Sequence, residues 1–197
     1  MKVKAQALLH GAAWVRDTHG GGALENVLSS CSAAVRERCS IADANDWIPD
    51  TELSDFLGVA DRALGHGDGR IAEELGAASA RANLRNFTLR LAFFLANPEF
   101  LMRRVAGVWR QYNDAGTMHV REFAAGRMRS ELVGVPDPDW FICCSVTGWL
   151  REAGRTTGMK ELAAEHVECR SRGREHCIWV LRWSAFGSVP PGVDSSA

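Results

Sequence analysis

The sequence predicts an α+β domain in which N-terminal helices pack on a small antiparallel sheet that ends in a β-hairpin. Three observations lead there. Apolar residues recur at helical spacing through most of the chain as far as Trp109. Two alternating stretches, TMHVREF and RMRSELVGV, are then separated only by AAG, a hairpin pattern. After one more helical stretch, CIWVLRW alternates again, with Cys177, Trp179, Leu181 and Trp183 on one face.

The elements follow in order. Residues 2–18 mix strand and helix signals. HGGG at 19–22 breaks the chain, and Leu24, Val27, Leu28, Cys31 and Val35 then recur as one helical face. Cys31 on that face reads as a buried, inert thiol. DWIPDTELSDFL is an extended turn entering a helix, with Asp50 or Thr51 as the N-cap. LGHGDG at 64–69 is a second break, without the lysine and hydroxyl residue of a phosphate loop. The longest helix is expected over 70–96, ended by Asn97-Pro98, with another helix from Pro98. PDPDW opens the last helix, to about Gly154, with Asp137 as cap. A strand near 160–169, a turn at SRGRE and the CIWVLRW strand complete the domain, taken as 1–184, with 185–197 as a flexible tail.

Composition narrows the function classes. The 197 residues suit one domain, and 46% hydrophobic with 24% charged residues is ordinary for a globular protein. A net charge of −1 argues against a nucleic-acid binder working through a basic surface. No stretch is apolar enough for a membrane span. The opening MKVKAQALLHGAAW has its apolar run broken by Gln6 and His10, which reads as a cytoplasmic chain without a signal peptide. Six cysteines are too few for a disulfide scaffold, and clustered thiols in such a chain point to metal binding or catalysis.

The cluster is HVECRSRGREHC at 166–177. Cys169 closes one strand and Cys177 opens the next, so a hairpin brings them together. His166 lies three residues before Cys169, an offset that puts them on opposite faces of a regular strand. Both can serve one ion only if the strand bends, bulges or ends there. The Cys143-Cys144 pair can add a thiolate, giving three thiolates and an imidazole, a closed zinc set. Glu165 and Glu168 are alternative ligands, and Arg170, Arg172 and Arg174 can offset the negative charge. Free thiols in a surface hairpin, or a nucleophilic cysteine activated by His166 or His176, are the competing readings.

CSVTGWLREAGR followed by HVECRSRGREHCIWV resembles the 4-vinyl-reductase-type domain, found in bacteriochlorophyll biosynthesis proteins and in phenol- and xylene-responsive activators. Its fold is shared with subunits of a vesicle-tethering particle. The resemblance covers roughly residues 140–183. It implies a zinc site at Cys143 rather than Cys144, with position 166, Cys169 and Cys177. The family usually has glutamate where this chain has His166. It also implies a homodimer.

Three functions are therefore expected in turn. The first is a zinc-containing sensory domain that binds a small hydrophobic or aromatic molecule and acts through a partner protein. Phe94, Trp109, Trp140, Trp149 and His119 are candidate pocket residues. The second is an enzyme of specialised or pigment metabolism acting on a hydrophobic intermediate, using an opened zinc site or His119, Arg121 or Glu122. The third is a scaffold subunit, by analogy of fold alone.

Overall fold

The computed structural model describes residues 1–84 and 107–186. A short strand, β1 (Lys2–Lys4), pairs antiparallel with β2 (Trp47–Pro49). Between them run α1 (Gln6–His19), α2 (Gly21–Ser30) and α3 (Ala33–Ile41). Residues 2–18 are ambiguous in sequence because they hold a strand and a helix in succession. The break at HGGG falls on Gly20, whose φ of 89° suits only a residue without Cβ. The helical face expected beyond it is split into two helices. Ser32 interrupts it, its hydroxyl accepting the Val35 N–H at 3.4 Å and capping α3.

α4 (Asp50–Leu64) begins at the residue expected to cap it, so the cap position falls on Pro49. Asp50 is already helical, and its carboxylate accepts from the N-terminal amine of Met1 at 3.2 Å instead of capping. α5 (Arg70–Leu84) follows the LGHGDG turn. Asp61, fully buried, organises that turn: its carboxylate accepts the Gly69 and Ala72 N–H groups, each at 3.0 Å. The continuation of the helix expected to 96, and the start of the one expected from Pro98, lie outside the described residues. Residues 107–112 are helical.

β3 (Thr117–Ala124) and β4 (Arg127–Val133) form the expected hairpin. α6 (Trp140–Thr156) follows, capped by Asp139 rather than Asp137, because only Asp139 reaches the Phe141 and Ile142 N–H groups, at 2.8 and 3.1 Å. β5 (Met159–Lys160), β6 (Ala163–Glu168) and β7 (Cys177–Arg182) come next. β8 (Ala185–Phe186) pairs with β5, so the segment expected to be a tail is tied down at its first two residues. The main sheet is antiparallel with order β3-β4-β7-β6. The fold is α+β, with the C-terminal hairpin carrying the clustered cysteines. No helix among the described residues is long and apolar enough to cross a membrane.

Two apolar cores meet at α6. Ile142 and Cys144 join Leu8, Val15, Phe56 and Leu75 in the helical core. Cys143 and Leu150 join Met118, Met128, Trp179 and Leu181 against the sheet. The crossing of α5 and α6 is the closest contact. A Cβ on Gly76 would stand 1.9 Å from the Ser145 carbonyl oxygen, and one on Gly148 would stand 1.8 Å from that of Glu73. Arg151 fastens the same crossing with bonds to Glu73 and Glu74, each 2.9 Å.

The outer face of the sheet is roofed by ion pairs. Arg121 and His176 converge on Glu131 at 2.6 and 2.7 Å, and Arg182 meets Glu165 at 2.8 Å. Ile178 and Val180 beneath them are buried. The hydrogen bond from Arg121 holds the Glu131 carboxyl below the usual carboxylate range.

Gly148→Ala should lower stability by ~3 kcal/mol or more, since the added methyl meets backbone and cannot relax. Gly21→Ala, with nothing within 4 Å of the new Cβ, should leave the thermal midpoint unchanged or raised. Equal midpoints for the two variants would refute the close crossing. Glu131 stabilises the fold fully above the ordinary carboxylate pKa, and that contribution fades as pH falls through its lowered folded value. Glu131→Gln should therefore lower the midpoint at neutral pH and have little effect in acid, as read by denaturation at a series of pH values.

Candidate metal centre and adjoining cleft

Three elements deliver the four candidate ligands. Cys143 lies in the first turns of α6 and faces the sheet, while Cys144, one residue on, turns the other way and packs against Gly69. Cys177 opens β7, paired with Leu132 of β4. On β6, His166 pairs with Trp179, the register slips at Val167, and Glu168 pairs with Ile178. That bulge removes the opposite-face problem posed by the spacing of His166 and Cys169. A 3-10 turn, Arg170–Arg172, then reverses the chain, with Gly173 at φ 77° and the Arg172 and Arg174 N–H groups both on the Cys169 carbonyl at 3.1 Å.

The donor atoms of Cys143, His166, Cys169 and Cys177 all lie within 4.8 Å of one another. The three cysteines are buried. The Cys143 thiol donates to Cys177 Sγ at 4.0 Å. Hydrogen bonds to Cys169 and Cys177 hold Cys143 protonated, and the same bonds, together with nearby His166, hold the other two below the ordinary thiol range. The Arg170 backbone N–H donates to Cys177 Sγ at 3.4 Å. Both ring nitrogens of His166 are buried without a hydrogen-bond partner. An unsatisfied buried imidazole costs on the order of 1–3 kcal/mol, which a metal ion on one nitrogen would remove. A tetrahedral set with bonds of about 2.0–2.3 Å has edges of roughly 3.3–3.8 Å, so the four donors need only a small contraction.

An aromatic stack aims the imidazole. The His166 ring lies on Trp179 with centroids 4.5 Å apart and planes 9° apart, and Trp140 covers its other side at 5.7 Å. Arg172 lies over the outer face of Trp140 at 3.2 Å. Trp179 is itself fixed by its indole N–H donating to Thr147 Oγ1 at 2.9 Å. Trp179, Thr147 and the stacking role of Arg172 were missed in the sequence. Alternation placed Trp179 on the Cys177 face, but its partner depends on the β6–β7 register.

The other candidates are dispersed. Glu165 and Glu168 point to the outer face, paired with Arg182 and with Arg129 at 3.6 Å. His176 bonds Glu131 there, which removes it as an activator of either cysteine. His119 is exposed on β3, and Arg121 and Glu122 are in outer-face ion pairs. Trp140 belongs to the stack. Phe94 lies outside the described residues. Trp109 and Trp149 do line a cleft, of about 100 Å³, between α1, α5, α6 and β3. Trp109 is anchored by its indole N–H on the Ala115 carbonyl at 2.9 Å.

No protein-family model and no curated protein matches the chain. Solved structures do. An Fe(II) unliganded H-NOX protein from K. algicida is 11% identical over 95% of this chain and 100% of its own, with a TM-score of 0.70. An H-NOX protein from S. oneidensis in the Fe(II)NO ligation state is 14% identical over 92% and 99%, also at 0.70. A Cs H-NOX mutant carrying an unnatural amino acid is 14% identical over 93% and 97%, at 0.68. At these identities the likeness shows the fold.

This corrects the resemblance to the 4-vinyl-reductase domain, because the neighbours are H-NOX (heme nitric oxide/oxygen binding) domains, a different fold family. The C-terminal motif is a short cysteine–glycine–aromatic pattern that two unrelated folds can carry. The zinc-based sensor of hydrophobic or aromatic molecules falls with it, as does the pigment-metabolism enzyme, and zinc as cofactor loses its basis, since the neighbours are heme proteins. The homodimer also rested only on that resemblance. Heme itself does not fit the cleft, whose described lining contains no histidine or cysteine.

Cys143→Ser and Cys144→Ser should separate sharply. The first should abolish metal uptake by the purified protein, and the second should leave it intact. Trp140→Phe should keep metal affinity within a few-fold, whereas Trp140→Ala should weaken it by about 10–100-fold, the usual range for outer-shell partners. Competition with a chromophoric chelator measures both, and identical affinities for the two Trp140 variants would count against the stack.

Proposed function

We propose that this chain is a non-catalytic relay domain built on one thiophilic metal ion held by Cys143, His166, Cys169 and Cys177. The observation that carries the reading is the convergence of these four donors from α6, β6 and β7, with a buried imidazole whose ring nitrogens make no hydrogen bond outside the cluster. Three soft sulfurs favour a d-block ion over magnesium or calcium. Four protein donors leave no open position for water or substrate, so the centre pins structure and registers metal status, and does not act as a Lewis acid. Its state reaches the helical half through α6, where Cys143 meets the ion and Cys144 sits in the helical core. A partner protein reads the outcome. All six cysteines are unpaired, which suits the reducing cytoplasm, and we place the chain there.

Native mass spectrometry with elemental analysis tests the reading. One metal ion per chain is expected, lost in Cys169→Ser and retained in Cys39→Ser. The Cys169 variant should also lose ~3 kcal/mol, a fall in Tm of roughly 6–12 °C for a chain of this size. A protein that stays metal-free under these conditions would overturn it.

A further inference from the structure

We infer that the described residues of this chain supply no axial ligand to an iron porphyrin: a fold shared with heme proteins here has its candidate metal donors gathered in the Cys–His cluster and, among the described residues, none placed for heme. The second half rests on the proposed metal centre; the first does not. A bound heme needs an axial nitrogen, sulfur or oxygen donor from the protein, typically histidine, cysteine, tyrosine or methionine. That donor must open into a space large enough for the macrocycle.

All six histidines, all six cysteines and the single tyrosine lie among the described residues, so each can be located. His166, Cys143, Cys169 and Cys177 are committed to the cluster. His19 meets Trp14 edge-on, His176 bonds Glu131, and His66 and His119 are exposed. Cys31 and Cys144 are buried in the helical core, with Cys39 packed against it. His10 comes nearest to the cleft, but its Nδ1 faces the Ser79 hydroxyl at 3.4 Å and the ring is not part of the wall.

Among the described donors, Tyr112 and Met118 line the cleft, while Met102 lies outside the described residues. Burial pushes the Tyr112 phenol up, away from the phenolate that would bind iron. Methionine sulfur is a weak ligand that in cytochromes accompanies a histidine, and no histidine lines this cleft. Size agrees with ligand chemistry. A cavity of roughly 150 Å³ takes up one benzene, and the cleft enclosed by the described lining offers about 100 Å³. Its one described lysine, Lys4, is directed elsewhere, onto the Asn45 carbonyl and the Trp47 ring, so it does not serve the heme carboxylates.

The test is titration of hemin into the purified full chain, alongside expression with added heme precursor. Heme is then assayed as the pyridine complex and metals are counted in the same sample. The expected result is a substoichiometric heme content and a Soret band that Tyr112→Phe, Met118→Leu and His10→Ala all leave unchanged, marking adventitious hemin. One heme per chain, with a Soret band that any of these substitutions shifts, would overturn the inference. The metal count reports separately on the Cys–His centre, so either half can fail without the other.

Discussion

The joining of the helical half to the sheet rests on the close crossing of α5 and α6, where Gly76 faces the Ser145 carbonyl and Gly148 faces that of Glu73. Neither position has room for a methyl group, because carbonyl oxygens of the opposite helix stand where one would go. Backbones this close exclude side-chain slack, so the relative placement of the helices is set by main-chain contact and by the Arg151 fork on Glu73 and Glu74. With α6 so fixed, its two faces are assigned. One face completes the helical core and the other closes the sheet.

That assignment explains how two adjacent cysteines have different fates. A helix turns about 100° per residue, so Cys143 and Cys144 diverge, one toward the sheet and one toward Gly69. The Cys143 sulfur then meets a hairpin whose own geometry is local: a slip at Val167, a 3-10 turn and a left-handed glycine at 173. The helix–sheet packing supplies one candidate ligand and the hairpin three. The centre is therefore a junction between long-range and short-range structure, and the stack of Trp179, His166, Trp140 and Arg172 spans it.

Sharing a fold with heme proteins does not bring heme chemistry with it. Function resides in particular donors on the scaffold, and here the donors that could meet a metal have gathered at the α6–hairpin junction. The cleft beside Trp109 and Trp149 keeps only a phenol and a thioether among its described lining side chains that could reach iron. The resemblance to a vinyl-reductase domain misled for a related reason. A cysteine before a Gly-Trp pair, followed by two cysteines around a turn, records a local cysteine hairpin and carries little information about the rest of the chain.

The sequence by itself determined the α+β class, the β3–β4 hairpin, the break points at HGGG and LGHGDG, and the group of residues from 166 to 177 as the place of interest. These are local properties, carried by periodicity, by glycines at positive φ and by spacing along one chain. It also contained the condition that the strand must bend, bulge or end for His166 and Cys169 to face one point. Tertiary structure decided the rest. The capping of α6 by Asp139, the removal of Asp50 to the N-terminal amine, the withdrawal of Glu165, Glu168 and His176 to the outer face, and the stacking of Trp140 on His166 all depend on which strands pair and which helices cross. A pairing register and a helix crossing bring together residues far apart in the chain, and no pattern within a single segment encodes their distance.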